Sequence, residues 1–139
     1  MNRIIVALDT SPRAAHVLDT AIDFARRVGG KLKLFRAVTL PADVPLTRYM
    51  NAPGDLAQML LGDAMKDLTA LNLGIPENLS DGVEARIASP WKGICEIAKE
   101  TKADLIVIGS HGYSGIERLL GTTAATVVNH AECSVLIVR

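Results

Sequence analysis

A doubly wound α/β fold, with a mostly parallel sheet covered by helices on both faces, is the architecture this sequence predicts. Three observations carry it. Strand-like and helix-like segments alternate along the chain. Two runs, Ile4-Ile5-Val6-Ala7-Leu8 and Leu105-Ile106-Val107-Ile108, are apolar at every position, and a glycine-rich loop follows the second run directly. Unbroken apolar runs belong to strands buried on both faces, whereas half-solvated strands alternate.

The elements follow in order. After the first strand, Ser11-Pro12 reads as an N-cap followed by proline at the first helical position. Ala15, Leu18, Ala21, Ile22 and Ala25 recur at helical spacing until Gly29-Gly30 stops the helix. Residues 32–38 form a second strand and complete a βαβ unit. Residues 40–54 carry Pro41, Pro45, Pro53 and Gly54 without periodicity, the pattern of an exposed loop. A second helix is expected over residues 55–73, with Leu56, Met59, Leu60, Ala64, Leu68 and Leu71 inward.

Residues 83–87 alternate like an edge or half-exposed strand. Ser89-Pro90 repeats the cap-and-proline start, and Ile94, Ile97 and Ala98 give the third helix its apolar face, with Trp91 as a packing residue. The run at residues 105–108, the glycine-rich loop, a helix over residues 122–130 and a last strand, Val135-Leu136-Ile137-Val138, complete the chain. The two most apolar strands, first and fourth, belong at the centre of the sheet. In such sheets ligands bind beyond the C-terminal strand ends where the winding reverses, here just after Leu8 and Ile108.

Composition bounds the function. A chain of 139 residues, 49% hydrophobic and 22% charged, suits one globular domain spanning residues 1–139. Equal counts of 15 basic and 15 acidic residues give no electrostatic pull toward nucleic acid or acidic membranes. The opening enters a strand directly and no apolar run nears the roughly 18 residues of a membrane span, so no secretion signal or membrane anchor is expected. Cys95 and Cys133 share no metal spacing and read as buried free thiols. A soluble, cytoplasmic protein is expected.

The chemistry concentrates after Ile108, in Gly109-Ser110-His111-Gly112 and, further on, Gly121-Thr122-Thr123. Glycines let backbone approach a ligand closely. A helix opening at Thr122 offers free N–H groups and a dipole that favour an anion, with two hydroxyls beside them. A di- or triphosphate would suit this loop, although glycines after a strand and threonines at a helix start are equally ordinary turn and cap chemistry. No Gly-Lys-Ser/Thr is present, which excludes a Walker-type loop.

Two stretches resemble the universal stress protein family. Val6-Ala7-Leu8-Asp9-Thr10-Ser11 is similar to the family's strand-end opening, and residues 104–138, DLIVIGSHGYSGIERLLGTTAATVVNHAECSVLIV, to its C-terminal signature. The resemblance covers essentially the whole chain. It implies a three-layer, doubly wound, five-stranded parallel sheet in the order 3-2-1-4-5, an adenine nucleotide alpha hydrolase-like fold. Nucleotide-binding members carry Gly-x2-Gly-x9-Gly-Ser/Thr. Gly109, Gly112 and Gly121-Thr122 match it, with eight residues, 113–120, in place of nine.

The same resemblance implies a pocket for ATP, ADP or AMP, with Mg²⁺ held through the phosphates. Asp9 would lie near sugar and adenine, Ala7 beneath the ligand, and Ala37 would bond the adenine edge through its backbone. Ile108 would pack on base or ribose, with Gly109, Ser110, His111, Gly112, Gly121, Thr122 and Thr123 around the phosphates. Ala88 stands where the family often has glycine. His111 reads as a hydrogen-bonding loop residue, since no nucleophile or acid is placed for it; His16 and His130 read as surface residues. Arg118 could touch phosphate or solvate the loop. No catalytic residue and no protein metal ligand is assigned.

The resemblance implies a nucleotide-binding regulator of the stress response. A slow ATPase or self-phosphorylating protein, and a member acting only through protein contacts, are the alternatives. Efficient phosphoryl transfer needs a metal, a base and a charge stabiliser held together, and no such set is visible. A homodimer through residues 135–138 is expected, because an apolar edge strand is a template for pairing.

Overall fold

The computed structural model describes residues 2–40, 55–110 and 120–139. Five strands, β1 (Arg3–Ala7), β2 (Lys31–Val38), β3 (Ser80–Ile87), β4 (Leu105–Gly109) and β5 (Ser134–Val138), alternate with α1 (Ala14–Val28), α2 (Asp55–Asn72), α3 (Pro90–Glu100) and α4 (Thr122–His130). They build one sheet in the order β3-β2-β1-β4-β5 with every pairing parallel. The two all-apolar strands, β1 and β4, lie side by side, in register from Ile4↔Leu105 to Ala7↔Ile108.

Strand alternation divides the core into two layers. Ile4, Val6, Leu8, Leu32, Leu34 and Val107 pack under α1 and α2 with Val17, Leu18, Ala21 and Leu68. Ile5, Ala7, Phe35, Ile106 and Ile108 pack under α3 and α4 with Ile94, Ile97, Ala124 and Val127. Helices on both faces explain why β1 and β4 carry no polar alternation. At roughly 25 cal/mol per Å² of buried apolar surface, each such core side chain contributes about 1.5–3 kcal/mol.

Helix ends follow local chemistry. Gly29 takes φ +72° at the C-cap of α1, the left-handed region open to glycine, and the N–H of Gly30 reaches back to the Ala25 carbonyl at 3.1 Å. The start of α1 departs from expectation. Ser11 is not its N-cap: the Asp9 carboxylate takes the Ser11 N–H at 2.9 Å, and the Ser11 carbonyl accepts from Ala14 at 3.1 Å. Ser11-Pro12 therefore forms a turn, and helix begins at Ala14. Along α1, Ala15 is exposed and Val17 is buried in its place.

On α2, Leu56, Ala64 and Leu68 are buried as the spacing predicts, but Met59 is half exposed. β3 starts at Ser80, ahead of the alternating stretch. Cys95 and Cys133 are free, as expected, and half-buried rather than buried. His16 and His130 are exposed. The expected exposed loop at residues 40–54 lies, apart from Leu40, outside the described residues. No helix among the described residues is long and apolar enough to cross a membrane.

Candidate nucleotide site

A cavity of about 630 Å³ opens at the C-terminal ends of β1, β2 and β4, where the chain reverses its winding between β1 and β4. Ala7 and Ile108 form part of its floor, and Asp9 and Ala37 lie at its strand ends. Gly109, Ser110, Gly121, Thr122 and Thr123 line the opposite wall. The cavity thus gathers nine of the eleven residues expected at the site. The other two, His111 and Gly112, lie outside the described residues, as does Arg118.

The backbone of β2 has a definite direction at this cavity. In a parallel ladder successive residues bond alternately to the strands on either side. The Leu8 N–H donates to Phe35 O at 2.9 Å, on the β1 side, and the Ala88 N–H donates to Val38 O at 3.1 Å, on the β3 side. Ala37 therefore directs its N–H and C=O to the β1 side. Its last β1 neighbours are already behind it, since the pairing ends at Ala7↔Phe35. β2 overshoots β1, and the overshoot presents one donor and one acceptor at the cavity wall.

The opposite wall ends in a helix terminus. Gly121 is the N-cap of α4, at φ −61° and ψ 157°, and no side-chain cap bond is made there among the described residues. The first turn of α4 therefore faces the cavity with N–H groups that have no intrahelical acceptor. The Gly121 N–H donates to Ser110 O at 2.6 Å, and the Ser110 N–H donates to Val138 O at 2.8 Å. Ser110, almost wholly buried, pins both ends of the glycine-rich segment to the tip of the sheet.

One feature escaped the sequence reading. Arg36 is 8% exposed, its side chain pointing away from Ala37 toward α2. Its guanidinium donates to Leu8 O and Asp9 O, both at 3.3 Å, and to the Asp67 carboxylate of α2 at 3.2 Å. Arg36 thereby ties the β1–α1 turn that carries Asp9 to the helix forming another cavity wall. A lone arginine between Phe35 and Ala37 in an apolar strand was the signal for it. Ala88 takes no part in the cavity lining; it packs behind the start of α3, against Gly93.

Small side chains below, a backbone donor–acceptor pair on one side and an uncapped helix terminus on the other suit a flat heterocycle joined to an anion. The universal stress protein family model matches residues 1–139. The chain belongs to this family. Universal stress protein A homolog 2 of Coxiella burnetii is 33% identical over 139 residues, covering 99% of this chain and 94% of that protein. A universal stress protein solved in complex with cAMP is 27% identical, with TM-score 0.64 over 99% of this chain and 96% of its own. The Archaeoglobus fulgidus family member solved with dAMP is 26% identical, with TM-score 0.59 over 100% and 98%.

Proposed function

We propose that this universal stress protein binds an adenine nucleotide in the cavity and acts as a regulatory homodimer. The observation that carries the reading is the outward-facing backbone of Ala37. The N–H and C=O of this one residue, facing the same side of the strand, complement the N1 acceptor and N6 donor of adenine, whatever the side chain. Ala7 and Ile108 then lie under base and ribose, and Asp9 is at hand for sugar hydroxyls. Phosphates extend to the N-terminus of α4, where the dipole and the Thr122 and Thr123 hydroxyls meet them.

Two family members bound to adenine mononucleotides support the class of ligand. ATP, ADP and AMP share the groups this cavity addresses, and Mg²⁺ travels with the phosphates, as a hard cation with few protein ligands does.

Dimerisation follows from the sheet edge. In β5, Val135, Leu136 and Ile137 are half-buried, and β4 pairs with only one side of the strand. A second copy related by a two-fold axis would satisfy the outer side by self-complementary pairing.

Calorimetric titration of ligand-free protein with ATP, ADP and AMP tests the site. Saturable heat is expected, weakened at least tenfold in Gly121→Val, whose branched side chain obstructs the helix start, and unchanged in Glu77→Ala. Absence of heat and of thermal shift at millimolar nucleotide would refute it.

A further inference from the structure

Trp91, Cys95 and Lys99 stand four residues apart and therefore share one face of α3. Both ends of that row touch the same neighbour. The Trp91 ring lies 4.5 Å from the His130 ring at the end of α4, and the Lys99 ammonium lies 3.5 Å from the Glu132 carboxylate. Cys95 sits midway along the row, and Cys133 directly follows Glu132. The two free thiols are half-buried and pack against the same apolar layer.

We propose that Cys95 and Cys133 are a redox-active dithiol that closes to an intramolecular disulfide. The contacts at His130 and Glu132 hold the segment just before Cys133 against α3, so little chain entropy opposes the approach of the sulfurs. The residues between them, 96–132, include β4, Gly109, Gly121 and α4, which is the whole phosphate-side wall of the cavity. The bond would staple α3 to the start of β5 around that wall.

The chemistry balances with hydrogen peroxide as co-reactant. One thiolate attacks a peroxide oxygen; an S–O bond forms, the O–O bond breaks, and hydroxide leaves to become water. The second thiolate displaces the sulfenic hydroxyl; the S–S bond forms, the S–O bond breaks, and a second water leaves. Two thiols lose two electrons and one peroxide becomes two waters. Burial pushes both thiols above their ordinary value, and Cys133 adds to the shift at Cys95. That influence of Cys133 on Cys95 accords with the two lying near each other.

The test is peptide mapping by mass spectrometry of alkylated, non-reduced protein before and after peroxide. A cross-linked pair of peptides holding Cys95 and Cys133 is expected, lighter by about two hydrogens and restored by dithiothreitol. The oxidised chain should also melt several degrees above the reduced one. Cys95→Ser and Cys133→Ser should each abolish both effects while folding normally in reductant. Interchain disulfides, sulfinic acids alone, two thiols still open to alkylation, or a cross-link without a melting shift would each overturn the proposal.

Discussion

Replacing Arg36 by methionine keeps the buried stem and removes the guanidinium. Three hydrogen bonds disappear, two to the carbonyls of Leu8 and Asp9 at 3.3 Å and one to Asp67 at 3.2 Å. The Asp67 carboxylate is 64% exposed, so that ion pair is worth about 0–1 kcal/mol. The two carbonyls lose a charged donor, roughly 1–1.5 kcal/mol each at these long distances. Methionine returns part of this by sparing the burial of a charge. A net loss of about 2 kcal/mol is expected. For 139 residues the entropy of unfolding is about 0.3 kcal/mol per kelvin, so the melting temperature should fall by roughly 7 °C. Calorimetry measures it. Nucleotide affinity should fall with it, because the turn bearing Asp9 is no longer anchored, and a nucleotide lacking the 2′-hydroxyl should lose less. A variant that melts within about 1 °C of the parent would refute the clamp.

Gly93→Ala should destabilise by about 1–2 kcal/mol despite better helix propensity, because its Cβ would stand 3.1 Å from Ala88 Cβ and 3.2 Å from Cζ of fully buried Phe35; a raised urea midpoint would contradict this packing. The Asp104 carboxylate accepts the N–H groups of Asn2 and Arg3 at 2.9 and 3.0 Å, which hold its carboxyl below the ordinary value. A lowered folded-state pKa contributes stability above the ordinary carboxylate range and loses it as pH falls. Asp104→Asn should therefore melt lower at neutral pH, with the gap to the parent closing on acidification; a gap independent of pH would count against the bonds. For the dimer, Ile137→Pro removes a ladder donor from β5 and should shift the mass by light scattering from twice 14.8 kDa toward one chain; a parent that is monomeric at high micromolar concentration would overturn the assembly.

The central place of β1 and β4 was legible in their unbroken apolar runs, which fit strands buried on both faces, whereas the full order came from the family resemblance. The cavity position followed from the order alone. Helix starts were less legible: Ser11-Pro12 carries every sign of a cap, yet Asp9 two residues earlier captures the Ser11 N–H and turns the segment into a separate turn. The full length of β3 was missed, since Ser80, Asp81 and Gly82 carry no strand signal and are drawn in by pairing with β2 from Leu32↔Ser80 onward. Arg36 and Asp67 were invisible as a pair because their contact spans a strand and a helix 31 residues apart.

The loop is one residue shorter here than in the family motif, and on the proposed reading the described residues give a reason why a phosphate site would survive that change. The motif's two functional ends are Gly109-Ser110 and Gly121-Thr122, and they are joined directly, through the 2.6 Å bond from the Gly121 N–H to Ser110 O. Ser110 is in turn fixed to β5 through Val138. The distance across the cavity from the Ala37 backbone to the first turn of α4 is therefore set by the sheet and by this bond, not by how many residues lie between. The same logic accounts for the small side chains at the site. On the proposed reading Ala7, Ala37, Gly109 and Gly121 matter for what they leave uncovered, since backbone N–H and C=O groups would do the recognising and a ligand reaches them only where no bulky side chain intervenes.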